Sequence, residues 1–132
     1  MVRFIAVFLI FISTMLAADE QTDIQNTISN QLKAFAVDDF SEAFTHASPG
    51  IKDIFVSVEN FSTMVKKGYP MVWRYDNFQF LKLEETLQGY SQNVRITDKK
   101  NELFLLKYFM TNISGIWKIS GVSIIEASDF SA

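Results

Sequence analysis

The chain has 132 residues, with 12 Lys and Arg against 15 Asp and Glu, one His and no Cys, for a net charge of −3. The absence of cysteine excludes disulfides, thiol nucleophiles and a lipid-bearing cysteine tether, and the mild, dispersed negative charge argues against a nucleic-acid partner. A single histidine excludes multi-histidine zinc sites, and five isolated glycines exclude a phosphate-cradling loop, so neither a metal nor a cofactor is expected.

At the amino terminus, Met1-Val2-Arg3 supplies one positive charge, Phe4 to Ile12 is an unbroken apolar run, and Ser13 to Ala18 is smaller and more polar before Asp19-Glu20-Gln21 turns hydrophilic. These are the parts of a secretory signal. The run is too short for a span, which takes about 20 apolar residues. Residues 1–18 are therefore expected to be a cleavable signal peptide, cut after Ala18 or, because Leu16 is large for its position, after Ala17. Residues 19–132 then form one exported domain without membrane contact, and loss of Arg3 leaves 11 basic against 15 acidic side chains.

Thr22-Asp23-Ile24-Gln25 has capping-box spacing, and Ile24, Ile28, Leu32, Phe35 and Ala36 follow at helical intervals, which predicts a first helix with one apolar stripe. Asp38 or Asp39 is placed to cap a second, carrying Phe40, Ala43, Phe44 and Ala47. Ser48-Pro49 ends it and opens a short segment with Ile51, Ile54 and Phe55. Ser57 caps a third helix with Val58, Phe61, Met64 and Val65 inward and Lys66-Lys67 at its negative end. Gly68 is expected as its left-handed terminator and Tyr69-Pro70 as a corner.

After Pro70 the period changes to two, the mark of a sheet. Asn77 to Leu87 reads as a strand whose phase slips between Phe80 and Leu81. Tyr90, Gln92, Val94 and Ile96 form the inward half of the next. Glu102 to Asn112 is apolar on both faces and is expected to be covered on each side. Ile116 to Ile125 is the last strand, with a bulge at Gly121. Short turns predict an antiparallel meander. The fold class is α+β: N-terminal helices packed on a curved antiparallel sheet, an order that resembles the nuclear-transport-factor-2-like roll or cone.

Gln31 to Phe55 with Ala47-Ser48-Pro49, then Phe61, Met64-Val65, Gly68-Tyr69-Pro70, Val72, Gln92-Asn93-Val94 and Gly115-Ile116-Trp117-Lys118-Ile119-Ser120-Gly121, resemble an uncharacterised bacterial family, domain of unknown function number 4864. The resemblance covers roughly Asp23 to Ile125 and implies a fold and a bacterial source, hence a periplasmic or secreted location, without an activity. In a bacterial chain the glycosylation-like Asn60-Phe61-Ser62 and Asn112-Ile113-Ser114 are chance matches.

Candidate site residues come from the aromatic run. If Tyr69 to Tyr75 is extended, Tyr69, Met71, Trp73 and Tyr75 share a face, and Tyr90, Gln92 and Tyr108 add polar handles across a cone, giving a ligand site of Tyr69, Trp73, Tyr75, Tyr90, Gln92 and Tyr108. The opposing expectation is that these aromatics close the core. His46 is expected on the polar flank of its helix. No catalytic constellation is visible, so the expected function is non-enzymatic binding of a small apolar ligand in the cone or of a protein partner across the sheet, which also offers a surface for a homodimer. A purely structural subunit with its cavity filled by Phe is a further reading. The enzymatic alternative is an isomerase- or cyclase-like activity using Tyr75, Tyr90 or Tyr108 as proton donor and Asp53 as base, on fold analogy alone.

Overall fold

The computed structural model describes the backbone of residues 2–125 and the side chains of residues 19–125. Helices α1 (Val2–Ala36), α2 (Phe40–Thr45), α3 (Pro49–Phe55), α4 (Val58–Gly68) and α5 (Pro70–Trp73) precede strands β1 (Tyr75–Thr86), β2 (Gly89–Asp98), β3 (Leu103–Ile113) and β4 (Ile116–Ile125). The strands form an antiparallel meander in the order β1-β2-β3-β4. This is the expected α+β arrangement. The leader expected over residues 1–18 lies outside the described side chains.

The apolar stripe of α1 is as read: Ile24, Ile28, Leu32 and Phe35 are fully buried. Two details differ. The helix passes through Thr22 without a break, so in the full chain its N–H groups there already have carbonyl partners one turn back and the expected box does not cap a helix start. Ala36 is exposed and Ala34 is buried instead, because the chain folds back at once into α2.

Asp39 caps α2, its carboxylate accepting from the Glu42 N–H at 3.1 Å, whereas Asp38 sits outside the helix at φ 59°. Ser48 caps α3 with Pro49 in its first turn, and Ser57 caps α4. Ile51 and Phe55 pack on the core while Ile54 is exposed. Phe61 is the hub of the helical layer, with ring centroids 4.9 Å from Phe44, 5.9 Å from Phe35 and 6.1 Å from Phe55. Between α3 and α4, Val56 has φ 72° and ψ −46°, and Ser57 N–H donates to the Phe55 carbonyl at 2.8 Å. That is a γ-turn of the strained hand.

The Gly68 corner is corrected. Gly68 is the last residue of α4 and lacks a left-handed φ; the break is Tyr69, at φ −134° and ψ 51°. A residue before proline is pushed out of the helical region, and Pro70 fits the first turn of a new helix, so α5 follows after a single residue. The run Tyr69 to Tyr75 is therefore not an extended strand, and its side chains do not share one face.

In the sheet, the slip predicted after Phe80 is a bulge: Phe80 pairs with Val94 but Leu83 with Gln92. A second bulge leaves Ser120 unpaired beside Gly121, as expected. The expectation for β3 is half corrected. Leu106, Tyr108 and Met110 are buried under the helices, but Leu103 is 55% exposed and Phe109 is exposed on the opposite face, which none of the described residues covers.

Two glycines separate the corrected corner from a real backbone demand. A Cβ on Gly68 would meet nothing within 4 Å, whereas one on Gly89, at φ 154°, would lie 2.1 Å from the Met110 carbonyl oxygen. Gly68→Ala is expected to stabilise the protein by about 0.5 kcal/mol through helix propensity and Gly89→Ala to cost about 2 to 3 kcal/mol. Urea denaturation of both variants checks this; a destabilised Gly68→Ala protein would reinstate the left-handed corner.

Candidate functional site

An edge strand carries unpaired backbone groups that need partners. On β4 three elements of the helical layer supply them. Thr27 of α1 donates its hydroxyl to the Trp117 carbonyl at 3.0 Å. The link between α2 and α3 pairs with Ile119 as a parallel bridge, Ser48 N–H to the Ile119 carbonyl at 2.8 Å and Ile119 N–H to the His46 carbonyl at 2.9 Å. Tyr69, between α4 and α5, donates its hydroxyl to the Val122 carbonyl at 2.9 Å.

Between the second and third of these attachments lies a cavity of about 220 Å³, partly open to solvent. The sheet contributes Tyr108, Ile119, Gly121 and Val122, and α3 contributes Ile51 and Phe55. Phe61, Met64 and Val65 of α4 form another wall, and Gln31, Phe35, Ala47, Tyr69 and Val72 complete the lining. None of these side chains is charged. The polar ones are Gln31, whose amide donates to the Ala43 carbonyl at 3.2 Å, and the two tyrosines.

Of the six predicted ligand contacts, the structure brings Tyr69 and Tyr108 together on this wall and places four elsewhere. Trp73 is a brace: its indole N–H donates to Asp38 at 2.8 Å and the Arg74 guanidinium stacks 4.0 Å from its ring. That N–H, with the Arg74 ion pair at 2.9 Å, holds the Asp38 carboxyl below its usual range. Tyr75 packs edge-on against Phe78 at 5.4 Å, and partial burial raises its phenol pKa. The Tyr90 hydroxyl donates to Glu20 at 2.6 Å, and this bond, reinforced by burial, pushes its pKa up to about 12. Gln92 is fully buried and serves the β1 bulge, its amide donating to the carbonyls of Leu81 at 3.2 Å and Lys82 at 3.3 Å while its oxygen accepts from Gln25 at 3.2 Å. Trp73 and Tyr75 depart because of the helical turn at α5 and Gln92 because of the bulge, while Tyr90 is held by Glu20 of α1.

Tyr108 is the exception. It is 0% exposed, and its hydroxyl is the one buried side-chain polar atom among the described residues that lacks a hydrogen-bond partner in the protein. Burial, reinforced by the neighbouring Tyr69, drives its phenol pKa upward, so the group remains a neutral donor. His46 pairs with Glu42 at 3.1 Å and Asp53 is exposed on α3; neither lines the cavity. The enzymatic alternative thus has one of its named groups, Tyr108, on the wall and its proposed base outside it. Among the described residues no three His, Asp or Glu side chains gather as a metal site.

Of the remaining wall residues, Phe35, Ile51, Phe55, Phe61, Met64 and Val65 belong to the apolar patterns that the sequence assigns to α1, α3 and α4, and such a pattern carries no signal that distinguishes a filled interior from a hollow one; Gln31, Val72, Ile119, Gly121 and Val122 carry no inward signal of their own.

Fold and site together define an α+β roll with an apolar cavity between its helical layer and the β3–β4 half of the sheet. A family model described as Domain of unknown function (DUF4864) matches residues 17–132, and the chain belongs to that family. No curated protein matches it. Among solved structures it is similar to Aln2 from a Streptomyces species, known at 1.8 Å, with 14% identity and a TM-score of 0.52 over 86% of this chain and 94% of that one. The likeness is one of fold.

The unpartnered hydroxyl has a direct consequence for stability. Tyr108→Phe removes a buried polar group and leaves its packing, so the ligand-free variant is expected to be more stable by about 1 kcal/mol. Linkage adds a pH signature. Tyr75, Tyr90 and Tyr108 all have raised folded-state pKa values against a usual value of 10.0, so the unfolded chain releases these protons first. Their contribution is fully present below pH 10 and is lost as pH rises toward about 12. Chemical denaturation between pH 8 and 12 (on the order of one unit per step) is expected to show stability falling above about 10, with a shallower fall in Tyr108→Phe; an unchanged slope would count against the buried phenol.

Proposed function

We propose that this is an exported domain, mature from Asp19, whose cavity binds a small, neutral, apolar molecule without catalysing its turnover. The observation that carries this reading is the apolar cavity of about 220 Å³ held between the β4 attachments. An apolar cavity of about 150 Å³ accommodates benzene, and drug-sized sites run from roughly 300 to 1,000 Å³, so the volume fits a single substituted ring or a branched chain of about ten heavy atoms. A charged ligand would be buried without a counter-charge on the wall, a cost of several kcal/mol that disfavours it. At about −0.6 kcal/mol per atom such a ligand binds with about −6 kcal/mol, a Kd of tens of micromolar.

Export is supported by the apolar run Phe4–Ile12 and the small residues that follow it. Cutting after Ala18 would leave in place the Glu20–Tyr90 bond and the whole α1 stripe from Ile24 onward. N-terminal sequencing of the protein from its host envelope or medium is expected to start at Asp19 or one residue earlier; intact Met1 on cytoplasmic protein would sink export.

A second reading, docking of a protein partner or a second copy, is favoured by the exposed apolar side chains of Leu103, Phe109, Ile113 and Ile116 on the uncovered side of the sheet. Sedimentation equilibrium distinguishes monomer from dimer.

The cavity reading is tested by blocking it. Val122 is half-buried on the wall, so Val122→Phe fills the space from the sheet side. Calorimetric titration with neutral one-ring compounds is expected to give micromolar binding to the parent and none to a folded Val122→Phe variant. Equal binding to both would place the ligand elsewhere.

A further inference from the structure

The polar groups of the cavity wall are not equivalent. The Gln31 amide is engaged by the Ala43 carbonyl and the Tyr69 proton by the Val122 carbonyl, so both serve the fold. The Tyr108 hydroxyl has no such bond: it is fully buried and without a partner among the described residues, on a side chain that lines the cavity. Leaving a buried hydroxyl unpaired is costly, and phenylalanine would fill the same ring position without that cost. Tyr108 also sits mid-strand on β3, paired on one side with Gln92 and on the other with Val122, so its ring is held by a continuous sheet and its hydroxyl has little freedom to find another partner.

We infer that the cavity selects a neutral ligand of single-ring size that carries a carbonyl oxygen, which accepts a hydrogen bond from the Tyr108 hydroxyl; this rests on the cavity-binding reading above. The class follows from what the wall offers. A hydrocarbon fills the space but leaves the hydroxyl unpaired. A carboxylate accepts the bond but buries a charge with no cation on the wall. An alcohol can also accept the bond, but it brings a proton that needs a second, correctly placed acceptor, a requirement a carbonyl does not have. A ketone, aldehyde or ester brings an acceptor alone. Sites built to hydrogen-bond a group discriminate against analogues lacking it, because the protein's own polar atom is then left buried and unpaired.

Acetophenone and α-methylstyrene have nearly the same shape and differ by a carbonyl oxygen in place of a methylene. Dissociation constants of both for the full mature domain and for Tyr108→Phe form a double-mutant cycle that cancels the ligands' different hydration. The preference for acetophenone is expected to fall about tenfold in Tyr108→Phe, the size of one hydrogen bond. Carbonyl-labelled acetophenone provides a readout independent of the variant's folding: bound to the parent, its carbonyl carbon is expected downfield of its position in hexane. If both probes bind and the preference is the same in the two proteins, or the bound carbonyl resonates where it does in hexane, the inference is overturned and the cavity reading stands. If neither probe binds the parent, the cavity reading fails and the inference falls with it.

Discussion

The outer edge of β4 is the constraint on which the rest of the architecture depends. A meander has two edges, and each edge carbonyl or N–H buried without a partner costs stability. Here Trp117, Ile119 and Val122 are served by three separate elements of the helical layer: α1, the α2–α3 link and the α4–α5 link. Because the attachments are hydrogen bonds of fixed length, they set how closely the helices approach the sheet at those three places. The Ser120 bulge bends β4 between the second and third attachment. The helices α3 and α4 span the same interval above it, and the cavity is the space that fixed attachments and bent strand leave between them.

The opposite edge of the sheet is organised by a different device. The β1 bulge interrupts the strand ladder, and the carbonyls of Leu81 and Lys82 are served by a side chain instead. Gln92 on the adjacent strand serves them with its amide, and Gln25 of α1 holds the other end of that amide. A buried amide so engaged is a register lock, since sliding β2 by one residue would carry Gln92 to the uncovered face and strand both carbonyls. The Asp38–Trp73–Arg74 cluster acts likewise between the end of α1 and α5: a residue at positive φ is held by the indole N–H of the last residue of α5 and the guanidinium of the residue after it.

Much of this fold was legible in the residues. Periodicity located the α1 stripe, the caps at Asp39, Ser48 and Ser57, the meander and both bulges, because each rests on local chemistry written within a few positions. What was not legible depended on non-local partners. Tyr69-Pro70 reads equally well as a corner leading to a strand and as a one-residue break before a new helix, and the choice fell to the helix because Met71 and Val72 then point into the core. That same choice removed Trp73 and Tyr75 from the expected site. Gln92 and Tyr90 look like free polar handles in the sequence; their partners Gln25, Leu81, Lys82 and Glu20 are set by the fold. A cavity leaves no periodic trace, since its walls are the same inward residues that would line a filled core.

Where local preference and native geometry disagree is therefore informative. A well-adapted sequence agrees with its fold at each level, and disagreements gather at places with another purpose. Two stand out here. Val56, β-branched and 79% exposed, holds a left-handed φ of 72° that glycine would hold at lower cost. Tyr108 keeps a hydroxyl that phenylalanine would spare. They are far apart in sequence and in setting: Tyr108 lines the cavity from the sheet, whereas Val56 follows Phe55 of α3 and is exposed outside the lining. A buried, unserved donor on a residue of the wall is what a fold would carry if the cavity were shaped for an occupant rather than left over from imperfect packing. Defects of packing alone would show as missing contacts among apolar groups, with no reason to coincide with a buried donor.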